Sequence, residues 1–224
     1  MPITVATALG QCYEIYNSLN PTKALEYLQV AQDKLAVELP LNLVETDLQP
    51  TANSRTIALN VADKRLWHAY WMTSSSESDM RWLRPTSVNW LDANRPNWRR
   101  RAPATPVYRY MGLSGETLVL GMDPMPNEGT GSGYPKVRVY TSRTSTLTTD
   151  GNLPATMLSY EAHVFYACRL HAIANQQPDR IETMTAFYEK ALLDEKAASA
   201  AAGFGDAEDP PSIAPNWMRV GGFR

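Results

Sequence analysis

At 224 residues the chain is long enough to bury a sizeable core, and 44% hydrophobic with 20% charged residues is ordinary for a folded globular protein. A formal net charge of −2 argues against gripping nucleic acid over the whole surface, which needs a basic balance. The two cysteines, Cys12 and Cys168, give neither a disulfide framework nor a four-ligand zinc site and fit a reducing, intracellular compartment.

The opening MPITVATALGQCYEIY has no basic leader and no long apolar stretch, so it does not read as a signal peptide. Nowhere does the chain reach the ~18 consecutive apolar residues of a membrane span, and no membrane partner is expected. Leu9, Tyr13, Tyr16 and Leu19 recur at steps of three and four, which predicts a first helix over 2–19. Asn20-Pro21 restarts the chain, with Asn20 as cap and Pro21 in the first turn, where its missing N–H is not needed. A second helix follows over 21–39, with Leu25, Leu28, Ala31, Leu35 and Leu39 at helical spacing until Pro40 stops it. The short link predicts an antiparallel pair.

From about residue 50 the period changes to two. Ile57, Leu59 and Val61 alternate with polar or small residues, and the aromatic run 64–72 reads as a second strand. Further strands are expected over 106–111, 116–122 and 135–141; in the last, Val137 and Val139 face one way and Lys136 and Arg138 the other. Connectors rich in Gly, Pro and Asn favour antiparallel hairpins over βαβ units.

After Pro154 the helical period returns. Residues 154–175 are apolar almost all round, which predicts a helix buried on most sides by its own domain or a neighbouring subunit. Pro178 opens a last helix over 178–202, with Gly203 at the capping position. Residues 203–224 hold three prolines and four glycines without a period, yet Trp217, Met218, Val220 and Phe223 suit docking on a partner. The expected fold is α+β. A helical pair (1–49) and a C-terminal helical hairpin (151–202) form a bundle, with an antiparallel β-rich domain (50–150) inserted and an extended tail (203–224).

Motifs that suggest chemistry fail on spacing. Gly129, Gly131 and Gly133 lead to Tyr134 and Pro135, where a phosphate loop needs Gly and Lys, and a strand follows instead of a helix. Gly112-Leu113-Ser114-Gly115 is followed by Glu116 rather than the Gly of a nucleophile elbow. Cys168, His171 and His163 lack the further ligands that zinc requires, and they read as packing residues, as does His68. No carboxylate pair or Ser/His/Asp set is spaced for catalysis, so no enzyme activity, cofactor or metal is expected.

The stretch around residues 81–109 carries more information. It holds Arg81, Arg84, Arg95, Arg99, Arg100, Arg101 and Arg109, with Trp82, Trp90 and Trp98 interleaved and Asp92 the single acidic residue. Arginine with tryptophan suits a protein interface or phosphate contact. Arg81, Trp82, Arg84, Trp98, Arg99, Arg100 and Arg101 are the candidates. The neutral balance favours an interface. The alternative is a nucleic-acid-binding protein using segment 81–101.

The order of features over 106–195 resembles the head–tail adaptor (connector) proteins of tailed bacteriophages. These are the strand Pro106-Val107-Tyr108-Arg109-Tyr110, then Leu118-Val119-Leu120 leading to Asp123-Pro124-Met125-Pro126. A Gly-rich loop, the strand Val137-Arg138-Val139-Tyr140, Leu147, and Leu153-Pro154 before an alanine-rich helix pair with Tyr188 complete it. The resemblance implies a structural virion protein of the neck, assembled in the host cytoplasm. It implies a homo-oligomeric ring, commonly of twelve copies, that docks on the portal protein and extends the DNA channel, in transient contact with the packaged double-stranded DNA. The next tail or nozzle protein would attach to it. Trp217, Met218, Arg219, Val220, Phe223 and Arg224 are then candidates for docking into the portal.

Overall fold

The computed structural model describes residues 3–115, 117–129, 133–153 and 159–201. Helices α1 (Val5–Ile15) and α2 (Pro21–Glu38) come first. Strands β1 (Leu43–Leu48), β2 (Thr56–Ala58), β3 (Asp63–Met72), β4 (Met80–Trp82) and β5 (Arg84–Pro85) follow, then the short helix α3 (Val88–Asn94). Strands β6 (Tyr108–Ser114), β7 (Thr117–Asp123) and β8 (Lys136–Arg143) precede helices α4 (Glu161–Ala174) and α5 (Pro178–Ala201). N- and C-terminal helices thus flank a β-sheet core, a mixed α+β fold. Of the described residues, those up to Asn42 and from Ser142 onward form one compact unit, and Leu43–Thr141 form a second.

In the helical unit the Asn20 cap does what the sequence predicts, while Gly203, the other expected cap, lies outside the described residues. Asn20 Oδ1 accepts from the Thr22 and Lys23 N–H groups at 2.9 and 3.4 Å, with Pro21 in the first turn. Thr4 Oγ1 likewise accepts from the Thr7 N–H. The first helix is shorter than the predicted 2–19 and ends at Ile15. Tyr16 leaves helical geometry, and the Leu19 N–H closes a turn onto the Tyr16 carbonyl at 3.0 Å. Both side chains stay buried, so the i, i+3 spacing survives on a turn.

Helix α4 packs against α1, α2 and α5. Its Ala162, Ala167 and Ala172 are fully buried, and small side chains let neighbouring helices approach closely. The main core joins Val5, Leu9 and Cys12 of α1 to Leu28 of α2, Val164 and Cys168 of α4, and Met184 of α5. A smaller cluster of Leu35, Leu39, Leu41, Ala162 and Tyr188 extends it. Truncating a wholly buried leucine such as Leu28 to alanine costs about 2–5 kcal/mol. The predicted helix start at 154 falls beside residues 154–158, outside the described residues, and described helix begins at Glu161.

The β unit holds two four-stranded sheets, ordered β1-β8-β3-β4 and β2-β7-β6-β5. Strand β3 is buried from Leu66 through Met72, as a central strand covered on both faces should be. Val137 and Val139 point into the core with Leu66, Ala69, Trp71, Leu83, Leu120 and Met122. On the opposite side Arg138 meets Asp47 at 2.9 Å and Glu45 at 3.1 Å. The antiparallel expectation holds for β2–β7, β3–β4 and β6–β7. It fails for β5, which runs parallel to β6 with Arg84 opposite Tyr108. The connection between those strands contains α3, the crossover that parallel neighbours require.

The strand expected through Val61 stops at Ala58. Asn60 Oδ1 accepts from the Ala62 N–H at 2.9 Å while Asp63 Oδ2 accepts from the Asn60 N–H at 3.0 Å, and this turn leaves Val61 70% exposed. Gly112-Leu113-Ser114, expected as a turn, instead completes strand β6, paired with Val119, Leu118 and Thr117, and Gly115 after it takes φ +62°.

Candidate functional site

The arginine- and tryptophan-rich stretch lies in the β unit, and the fold divides it. Residues 80–85 run from β4, paired to β3, into β5, paired to β6. Between the two strands the Leu83 N–H bonds to the Ala69 carbonyl at 2.9 Å, and its side chain is fully buried. Arg81 and Arg84, on either side of that anchor, are exposed and form no ion pair among the described residues. Trp82 between them is half-buried, and its Nε1–H has no acceptor among the described residues.

Helix α3 follows because Ser87 caps it, its Oγ accepting from the Trp90 N–H at 3.0 Å. Leu91 is its buried anchor. Trp90, 41% exposed, leans on Tyr108 with ring centroids 5.4 Å apart.

Past α3 the basic residues turn inward. The Asp123 carboxylate is wholly buried, with Arg95 Nε at 3.2 Å and Arg55 Nη1 at 3.6 Å. Arg55 also donates from Nη2 to the Trp98 carbonyl at 2.9 Å and lies over the Trp98 ring. Trp98 is buried, and its Nε1–H donates to Asp92 Oδ1 at 2.8 Å. Arg99 donates to both oxygens of Asp92, at 2.6 and 3.1 Å. Those hydrogen bonds from Arg99 and Trp98 hold the Asp92 carboxyl below its usual range. Arg100 and Arg101 are exposed without an ion pair among the described residues.

Arg109 is almost fully buried and donates from Nη2 to the Trp67 carbonyl at 2.8 Å. Burial lowers its pKa to about 10. Burial, with Arg109 nearby, also pushes the neighbouring His68 imidazole down to about 4. His68 is therefore a packed neutral side chain. In the helical unit His163 is fully buried, and burial lowers it to about 4 as well. His171 packs edge-on against Tyr16 at 4.8 Å. Among the described residues no group of three or more His, Cys, Asp or Glu is placed to hold a metal ion. No described helix is long and apolar enough to cross a membrane.

The candidate residues therefore occupy two places. Arg81, Trp82 and Arg84 line an open cleft of about 1660 Å³, together with Lys64, Arg65 and Arg109, and among the described residues no Asp or Glu lines it. Trp98, Arg99 and Arg100 instead border a depression of about 290 Å³ that contains Asp92. Sequence reasoning missed Lys64 and Arg65 as part of this surface; their signal is a basic pair opening an aromatic strand. Trp217, Met218, Arg219, Val220, Phe223 and Arg224 lie outside the described residues.

A family model described as SU10 adaptor protein matches residues 4–211, a span that runs through both compact units. No curated protein matches the chain.

Proposed function

The chain belongs to the SU10 adaptor protein family, a phage head–tail adaptor family, and from that premise we propose that it is a ring-forming component of the virion neck. The ring docks on the portal, lengthens the channel through which the genome leaves, and offers the tail its attachment surface. The observation that carries this reading is a family match over residues 4–211, nearly the whole chain. Side-chain exposure in the helical unit supports it. Val30 and Val37 on α2 stand seven residues apart on one helical face and are more than two-fifths exposed, as are Ile173, Phe187 and Leu193 on α4 and α5. Exposed aliphatic and aromatic side chains of this kind suit packing between subunits. The Trp217–Arg224 segment is the candidate for insertion into the portal, and the tail component is the partner on the other side.

Light scattering on size-exclusion fractions, with and without a purified portal ring, tests the proposal. A defined multimer on the portal is the expected result; a free monomer is compatible, because the portal can template assembly. A chain that ignores the portal yet binds DNA with steep salt dependence would overturn it. That outcome belongs to the alternative, a nucleic-acid-binding protein acting through 81–101. The exposed Arg81 and Arg84 of the cleft favour the alternative. Against it, Arg95, Arg99 and Arg109 are engaged inside the fold and are not offered to phosphate.

A further inference from the structure

Among the described residues, the ionic side chains that line the cleft of the β unit are all basic. Arg81 and Arg84 are exposed on its wall without an ion pair among the described residues, and Lys64, Arg65 and Arg109 line the same space. No carboxylate of the described residues lines it, although the chain as a whole has more acidic than basic residues, 23 against 21. A concave surface lined by one sign of charge concentrates potential and draws in a counter-charged group. Trp82 lines the cleft as well, and Trp90 leaves two-fifths of its surface open. Guanidinium groups and an exposed aromatic face together suit carboxylates on an extended peptide.

The sequence contains such a peptide. Beyond α5 the stretch Gly203–Ser212 reads GFGDAEDPPS, with three carboxylates in four residues (Asp206, Glu208, Asp209) and no lysine or arginine. Pro210 and Pro211 favour an extended backbone that loses little conformational entropy on binding. Phe204 supplies an aromatic ring two residues before the first carboxylate. We propose that the cationic cleft lined by Arg81 and Arg84 is a docking site for the acidic Gly203–Ser212 segment of this same sequence. Every copy of the chain carries one cleft and one such segment, so the pairing is stoichiometric. It leaves Trp217–Arg224 available to the portal. The proposal stands apart from the ring reading, since cleft and segment can be tested on the chain alone.

The test uses the full chain with Asp206→Lys, Glu208→Lys and Asp209→Lys, so that its own segment cannot compete. The probe is a fluorescein-labelled synthetic peptide of residues 203–216, followed by anisotropy. Salt-sensitive binding is expected, weakened about tenfold or more by Arg81→Glu with Arg84→Glu, and likewise by a peptide carrying Asn, Gln and Asn at the three acidic positions. Because both arginines are exposed, Arg81→Gln with Arg84→Gln serves as the milder pair, checked for native far-ultraviolet circular dichroism, and it should weaken binding several-fold. No binding, or binding indifferent to both arginine pairs, would overturn the proposal. So would an oligothymidylate that binds the same arginines while the peptide does not, which would make the cleft a nucleic-acid site.

Discussion

The Arg95 guanidinium sets its Nε 3.2 Å from Oδ2 of an Asp123 carboxylate that has no solvent exposure at all. Arg55 approaches the other oxygen at 3.6 Å, so one buried anion ties the segment after α3 to the end of β7 and to the chain before β2. Removing the anion strands two partly buried cations. Asp123→Ala should lower the stability of the β unit by about 3–5 kcal/mol, the range for breaking a buried pair by deleting one partner. Arg95→Lys should cost less, since it keeps the charge, though it loses the guanidinium face over Tyr108. Denaturant melts followed by tryptophan fluorescence measure both; an Asp123→Ala midpoint equal to wild type would contradict this role.

His163 gives the helical unit an acid sensitivity. Neither ring nitrogen has a hydrogen-bond partner among the described residues, and burial alone takes the pKa from 6.5 to about 4. Between those values the unfolded chain binds a proton that the folded chain refuses. Stability from this site is fully present above pH 6.5, falls as the pH drops to 4, and stays level below that. At about 1.4 kcal/mol per pH unit the loss is on the order of 3 kcal/mol. His163→Met, close in volume, should remove this slope and be neutral or stabilising at pH 7, because an unpaired polar ring leaves the core. His68, also lowered to about 4, keeps its own share of acid sensitivity in the β unit. Urea melts across the range check this, and parallel slopes for the two proteins would count against it.

Gly121 on β7 lies opposite Tyr110 on β6, and the tyrosine ring covers it. A Cβ there would sit 2.1 Å from the ring, inside van der Waals contact. Gly121→Ala should therefore swing Tyr110 away from Trp98, its edge-on neighbour at 5.4 Å, at a cost of about 1–3 kcal/mol. A shift in tryptophan emission with a lowered denaturation midpoint is expected; an unchanged spectrum would mean that the ring is not held there.

The tail carries a prediction that depends on the adaptor reading. Deleting 204–224 should abolish docking on a portal ring while leaving helical circular dichroism unchanged, because described helix ends at Ala201. Co-sedimentation with the portal decides the matter, and full docking by the shortened chain would remove the tail from the interface.

Local signals made the helices and the long strands legible. Asn20-Pro21 names a helix start by itself, and the alternation of Val137 and Val139 with Lys136 and Arg138 names two faces of a strand. Strand β1 escapes notice because its LVETDL sequence is polar, and its Glu45 and Asp47 make sense only beside Arg138 some ninety residues later. Helix α3 is two turns long with one buried residue, too short to show a period. The site was legible as a stretch and illegible as a surface. Arg81 and Arg95 look alike in sequence, and what separates them is Asp123, which belongs to a distant strand and reads locally as part of a proline turn.

The packing of α4 against α1 and α2 sets a timetable for synthesis. Ribosomes deliver α2 through Glu38, yet Glu161 of its partner helix emerges roughly 120 residues later, about 6–25 s at ~5–20 residues per second. Throughout that wait the apolar faces carrying Leu9, Leu28 and Leu35 lack α4, while strands β1 to β8 are still being made. Strong overexpression would crowd these half-clothed nascent chains together. Weaker induction or a holdase chaperone should therefore raise the soluble yield.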